Sequence, residues 1–268
     1  MILSDVHTHS LYCDGKDSLE DMILSATGKG FEVIGLSGHA YTPIDTSYCI
    51  RDTDNYFAEA RRLAEKYKDK IKVLVGLEAD LYGMIDRKRT DYIIGSVHYL
   101  EKRGAYYALD CSAEGFGHCV KAAYGGDALA LAEDYFQSVV LMQDVLKPDI
   151  IGHFDLITKY NDGRAFFDEN DKRYVDSACA ALDILLQKGC VLEMNTGAVS
   201  RGVKKTAYPS DFILKRIKEK GSTVLLSSDA HSAAAVGFGF ENCLHRLESL
   251  GFSDVFVFTD KGLIRERI

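Results

Sequence analysis

MILSDVHTHS, residues 1–10, sets a short apolar run against two histidines, His7 and His9, with one residue between them. Residues two apart on extended backbone point to the same side, so a strand over 2–6 would let both imidazoles reach one ion. The same grammar recurs along the chain. Apolar or β-branched runs of buried-strand type lie at 33–37, 73–77, 92–97, 149–152, 190–194 and 224–227. His39, Glu78, His98 and His153 follow four of these runs, and Asp229 with His231 follows the last, in SSDAHS. The run at 190–194 differs, ending in Glu193 and Asn195 ahead of Arg201.

Helical segments fill the gaps, at 18–29, 54–68, 127–146, 171–188, 210–220 and 241–250. Ser18 ahead of Glu20 and Asp21 reads as an N-cap, and Gly30, Gly189, Gly221 and Gly251 stand where helices stop. A further run at 255–258 is an eighth strand or an edge. Strand, loop and helix in repetition favour a parallel sheet with helices outside it. An open sheet concentrates functional groups at one crevice, whereas a barrel collects them from the C-terminal ends of many strands. The spread of ligand-type residues over successive strand ends therefore predicts a TIM-like α/β barrel.

One domain is expected for 268 residues at 47% hydrophobic content, since the three prolines mark no linker. A formal charge of −8, from 32 basic against 40 acidic residues, argues against broad binding to nucleic acid or anionic membranes. The N-terminal stretch has neither a basic leader nor a long apolar segment, so a cytoplasmic location is expected. Seven cysteines, odd in number and without C-x-x-C, suit reduced thiols that fill the core.

Nine residues form the candidate metal set: His7, His9, Asp14, His39, Glu78, His98, His153, Asp229 and His231. A catalytic zinc takes about three protein ligands plus water, so nine imply two or three ions with a shared carboxylate. Nitrogen and oxygen donors without thiolate suit zinc, manganese or iron. Asp14, on the loop after His9, can fold back to the same mouth. His118, in the irregular stretch of 101–126, and His245, inside a helical segment, read as structural or surface residues. Arg201, Lys159 and Arg164 follow strand ends and can neutralise an anionic substrate there.

Taken together, DVHTHS, SGHA, GLEAD, GSVHYL, IGHFD, EMNTGA with Arg201, and SSDAH resemble the polymerase and histidinol phosphatase (PHP) superfamily, and within it the histidinol phosphatase branch. The resemblance spans nearly the whole chain. It implies a distorted (β/α)7 barrel over residues 1–268; the stretch at about 101–127 is not explained by that core pattern and is expected as a substrate-covering insertion. It also implies a trinuclear cluster in which His7, His9 and Asp229 hold one ion and Glu78 bridges it to a second. His98 and His153 would complete the second, and Asp14, His39 and His231 would hold the third. One departure stands out: where the resemblance implies an arginine after the fifth-strand histidine, this chain has Thr158 and Lys159.

The expected activity is metal-dependent phosphomonoester hydrolysis, with L-histidinol phosphate as preferred substrate and a metal-bridging hydroxide as nucleophile. Arg201 would neutralise phosphoryl oxygens, while His39 or Asp14 would assist the leaving alkoxide. The rivals are another phosphoesterase of the same superfamily, acting on nucleotides or other small monoesters, a carbon–nitrogen hydrolase on an amidohydrolase barrel, and a non-catalytic metal-binding module.

Overall fold

The computed structural model describes residues 3–259 and 261–268; Ile2, where the first expected strand begins, lies outside them. The strands are β1 (Ser4–Asp5), β2 (Val33–Leu36), β3 (Lys72–Asp80), β4 (Tyr92–Ser96), β5 (Tyr99–Lys102), β6 (Ala105–Ala108), β7 (Ile150–Ile151), β8 (Val191–Asn195), β9 (Val224–Ser227), β10 (Asp254–Thr259) and β11 (Gly262–Arg267). The α-helices are α1 (Leu19–Gly28), α2 (Thr53–Tyr67), α3 (Ala113–Tyr124), α4 (Ala128–Leu146), α5 (Lys172–Gln187), α6 (Gly197–Ser200), α7 (Asp211–Glu219) and α8 (Phe240–Ser249). Helix starts follow local chemistry. Ser18 and Asp21 close a capping box on α1, and the side chains of Asp52, Ser112, Asp127 and Asp171 cap α2, α3, α4 and α5.

Seven strands pair in parallel in the order β1, β2, β3, β4, β7, β8, β9. The two ends of this series meet at the mouth, where His9 N donates to Ala230 O (2.8 Å) and Ala230 N to His7 O (3.2 Å). Nearer the N-terminal ends, the β10–β11 hairpin fills the seam. Phe256 pairs with Leu225 of β9, and Phe258 N donates to Ser4 Oγ of β1 (3.1 Å). The fold is therefore the expected α/β barrel of seven units, distorted where a hairpin stands between its first and last parallel strands.

An inner apolar floor distinguishes this arrangement from an open sheet. Val6, Val33, Leu74, Tyr92, Ile94, Ile150, Val191 and Leu225 cluster inside the strands, and Phe256, Phe258 and Leu263 pack against them. The large core between strands and helices is separate. Tyr92 reaches across the interior to donate to Val6 O (2.5 Å). Gly35 and Gly76 make room for its ring, because a Cβ at either position would collide with Tyr92. Side chains recur on one face every two residues. Leu74 and Glu78 thus share the inner face of β3, as do Val191 and Glu193 on β8, so an apolar floor leads up to a polar mouth.

The stretch of 101–126 is more regular than the sequence suggests. It carries the end of the antiparallel β5–β6 hairpin and all of α3, which places His118 on an exposed helical face rather than in irregular chain. Local signals are weak there: Ala105, Tyr106, Tyr107 and Ala108 have no apolar alternation, and Gly115 and Gly117 dilute the pattern of α3. All seven cysteines are free thiols, four of them buried, while Cys111 is exposed and departs from the expected core role.

Candidate metal centre

All nine residues of the candidate set meet at the C-terminal mouth of the strands. Glu78, at 1% exposure, is the hub. Its Oε2 faces His7 Nε2 (3.2 Å), His9 Nε2 (3.5 Å) and His39 Nδ1 (3.0 Å). Its Oε1 faces His153 Nε2 (2.9 Å) and His98 Nε2 (3.4 Å), and accepts from Ser96 Oγ (2.7 Å). One carboxylate thus presents a different oxygen to each of two histidine groups. Asp229 Oδ1 closes the first group, 3.2 Å from His9 Nε2 and 3.8 Å from His7 Nε2.

At the rim, Asp14 lies 3.2 Å from His231 Nε2, 3.6 Å from His39 Nε2 and 3.7 Å from His9 Nδ1. Three groups consequently have donor atoms close enough to share an ion: His9, Asp14, His39 and His231; His7, His9 and Asp229; and His39, Glu78 and His98. His39 and His9 each belong to two of them, and His153 approaches from the side of Glu78 Oε1.

The donor set fits divalent cations on two grounds. First, His7 Nε2 and His9 Nε2 are buried without a hydrogen-bond partner among the described residues. A buried polar atom left unpaired costs roughly 1–3 kcal/mol, so two such nitrogens aimed at the same carboxylates call for an occupant. Second, donors about 2.0–2.1 Å from a tetrahedral zinc stand about 3.3 Å from one another. The imidazole–carboxylate separations of 3.2 Å (His7–Glu78), 3.2 Å (His9–Asp229) and 3.4 Å (His98–Glu78) lie close to that spacing.

Electrostatics point the same way. Burial raises the Glu78 carboxyl, but His7, His39 and His98 outweigh it and hold Glu78 well below the usual carboxylate range. Asp229 is buried too, and Arg201 and His7 keep it ionised. Burial and the neighbouring His231 and His39 push His9 down to about 3, leaving a neutral imidazole with a lone pair to share. His7 behaves differently: burial would lower it, yet Glu193, Glu78 and Asp229 together hold it well above its ordinary value.

Backbone geometry aims two of these groups. Asp229 adopts a left-handed conformation (φ 48°), which a short polar residue tolerates better than most. Gly197, at the start of α6, lies against it so closely that a Cβ would strike the carboxylate. Glu193, 0% exposed, accepts from Ser227 Oγ (2.6 Å), His153 N (2.7 Å) and Asn195 Nδ2 (2.8 Å), and pairs with His7 Nδ1 (2.9 Å). It fixes the ring that the first strand presents. Asp80 holds the His98 backbone in the same way, accepting from its N–H at 2.7 Å.

The cations separate. Arg201 stands in the mouth, donating to Asp229 Oδ2 (3.1 Å) and Asp229 O (3.0 Å) and contacting His231 Nδ1 (2.8 Å). Lys159 lines the same cavity of about 330 Å³ and pairs with Asp110. Arg164 does not join them: its side chain is 62% exposed, pairs with Asp168 (3.0 Å) and lines a different surface hollow. Asp110 and Cys111, from the segment after β6, also line this cavity, with Asp45, Tyr48 and Tyr99. The sequence places Glu193 among the polar groups that end the sixth run but outside the metal set, whereas Asp110 did not stand out, because no strand was expected in the stretch that precedes it.

The profile of the family described as PHP domain matches residues 5–197. A probable histidinol-phosphatase of Schizosaccharomyces pombe is 29% identical over 93% of this chain and 87% of its own length. The histidinol-phosphatase of Bacillus subtilis is 27% identical over 90% and 98%. Among solved structures, histidinol phosphate phosphatase of Lactococcus lactis, complexed with zinc, L-histidinol and phosphate, shares the fold with a TM-score of 0.67. It is 21% identical and aligns over 97% of this chain and 98% of its own.

Proposed function

The chain belongs to the PHP domain family, and from that premise we propose that it is a phosphomonoesterase that hydrolyses L-histidinol phosphate to L-histidinol and inorganic phosphate. The carrying observation is Glu78, whose two oxygens face two histidine groups at 2.9–3.5 Å inside a barrel mouth. Relatives spanning nearly the whole chain carry the histidinol-phosphatase name, which supports this substrate over other small monoesters.

We assign two or three divalent ions (zinc, manganese or iron) to His7, His9, Asp14, His39, Glu78, His98, His153, Asp229 and His231; zinc in the Lactococcus protein favours that metal. When bound, such ions lower the pKa of water to about 7 and polarise phosphoryl oxygens. The protein's own groups do the rest. Arg201 meets the phosphoryl oxygens with a planar, permanently charged donor set, and Lys159 adds a second cation in the same cavity. Arg164 has no place in this assignment, because it points to another surface. His39 or Asp14, 3.6 Å apart at the rim, would assist the departing alkoxide through the ion that they would hold.

No helix among the described residues is long and apolar enough to cross a membrane. The acidic balance supports an enzyme acting on a small molecule without nucleic acid, and we place it in the cytoplasm. The test is steady-state phosphate release from L-histidinol phosphate and a dozen other monoesters, on protein assayed for metal. The expected result is a kcat/KM for L-histidinol phosphate at least tenfold above every other ester. A faster nucleotide or sugar phosphate would replace the substrate and leave the phosphomonoesterase standing, and no turnover by metal-loaded protein would sink both.

A further inference from the structure

Five carboxylates line the mouth cavity: Asp14, Asp45, Glu78, Asp110 and Asp229. Three are in the candidate metal set. Asp45 spends both oxygens on its own wall, Oδ1 on Ser47 N (2.8 Å) and Oδ2 on the Tyr99 hydroxyl (2.9 Å). Asp110 is left. Its Oδ2 accepts from Lys159 Nζ (3.2 Å), while Oδ1 has no hydrogen-bond partner among the described residues.

The position of Asp110 is fixed from behind. Lys159 Nζ and the Tyr160 hydroxyl both donate to the Asp110 carbonyl, at 2.8 and 2.7 Å. The loop after β7 thereby clamps the segment after β6. The Asp110 side chain is 27% exposed and that of Lys159 12%, so the pair is sheltered and open chiefly to the cavity. Sheltering two opposite charges costs desolvation that their attraction only partly returns, which makes the pair a weak device for stability. It is a good device for a ligand carrying both charges. A carboxylate accepts up to about four hydrogen bonds, so a second cation at Oδ1 need not displace Lys159.

We propose that Asp110 Oδ1 receives the ammonium group of the substrate while Arg201 and Lys159 face its phosphoryl group, so that the site selects phosphate monoesters of amino alcohols. This rests on the phosphomonoesterase reading above and adds to it a residue that reads the amine. Asp110 is held ionised: burial would raise it, and Lys159, His98 and His153 more than reverse that.

The test compares L-histidinol phosphate with 3-(imidazol-4-yl)propyl phosphate, which lacks only the amino group. Metal-loaded wild-type protein is expected to prefer the amine-bearing ester by about 100-fold in kcat/KM, since a site built for a polar group rejects the analogue lacking it. Asp110→Asn, which keeps an oxygen for Lys159, is expected to cut that ratio at least about 30-fold, mainly through KM, with Asp110→Glu recovering part of it. Equal turnover of both esters by the wild type, or a ratio unchanged in Asp110→Asn, overturns the proposal. Absence of turnover on either ester would instead sink the phosphomonoesterase reading. Should Asp110→Asn fail to fold, competitive inhibition of the wild type by L-histidinol and by its des-amino alcohol decides. A Ki lower by about tenfold or more for the amine supports the proposal, and equal constants refute it.

Discussion

Glu78 serves two groups of imidazoles with two oxygens, and no other carboxylate among the described residues pairs with both groups. Glu78→Ala is expected to lose bound metal and phosphatase activity together, activity by more than about 100-fold. Metal analysis beside phosphate release checks this, and unchanged turnover excludes a bridging role. Glu193→Gln should behave differently, because the residue touches His7 rather than the cavity. It keeps the side-chain volume and removes the charge that orients the His7 ring, so metal affinity should fall about 10–100-fold with turnover restored by excess metal. A variant insensitive to added metal would contradict that. The two glutamates also show what the sequence discloses at this scale. Glu78 follows an apolar run, as the histidines do, and pattern alone finds it. Glu193 sits in its strand on the inner face, and its value depends on His7, 186 residues away, a contact that only the closed barrel creates.

Strand and helix positions were largely legible, because each parallel strand is buried on both faces and α1 to α5 carry side-chain caps such as Ser18 or Asp171. Edges agree to a residue or two except in β3, which runs three residues past the expected end to Asp80 and takes in Glu78. The β5–β6 hairpin and the seam-filling β10–β11 pair were not legible as such, since their roles come from partners far along the chain. Tyr92 is a sharper case. A large tyrosine in a strand reads as ordinary β-propensity, yet here its ring fills the barrel interior over Gly35 and Gly76. Gly76→Ala is therefore expected to destabilise the protein by about 1–3 kcal/mol through overpacking. Tyr92→Leu should cost about 3 kcal/mol by opening a void. In the double variant the added methyl enters the vacated space, so the losses should fall short of their sum by about 1 kcal/mol or more. Denaturant titration of the four proteins measures this coupling, and strict additivity would show that the glycine serves something other than the ring.

At the scale of the whole chain, the candidate ligands run from His7 to His231 and are drawn from both ends of the seven-strand series, whose mouth is joined by a few backbone hydrogen bonds, two at Ala230 and one from Lys16 N to His231 O (2.8 Å). Divalent ions that bind the folded mouth and not the unfolded chain close this seam by linkage. At 100 times Kd, one site contributes about 2.7 kcal/mol, or about 5–10 °C in Tm for a chain of this size. The pH dependence has a definite sign. His7 is held above its ordinary value by Glu193, Glu78 and Asp229, despite the opposing effect of burial. In ion-free protein its proton therefore stabilises the fold fully below about pH 6.5, and that contribution is lost as pH rises through the raised value. Ion binding needs the proton gone, so the loaded protein gains where the ion-free protein loses. The Tm gap between metal-loaded and chelated protein should widen steadily from pH 5.5 to 8.5, with proton release on metal addition at the lower end. Thermal melts of both forms across that range test it. A gap that stays constant, or narrows toward alkaline pH, would mean that the imidazoles at the mouth do not exchange protons for ions.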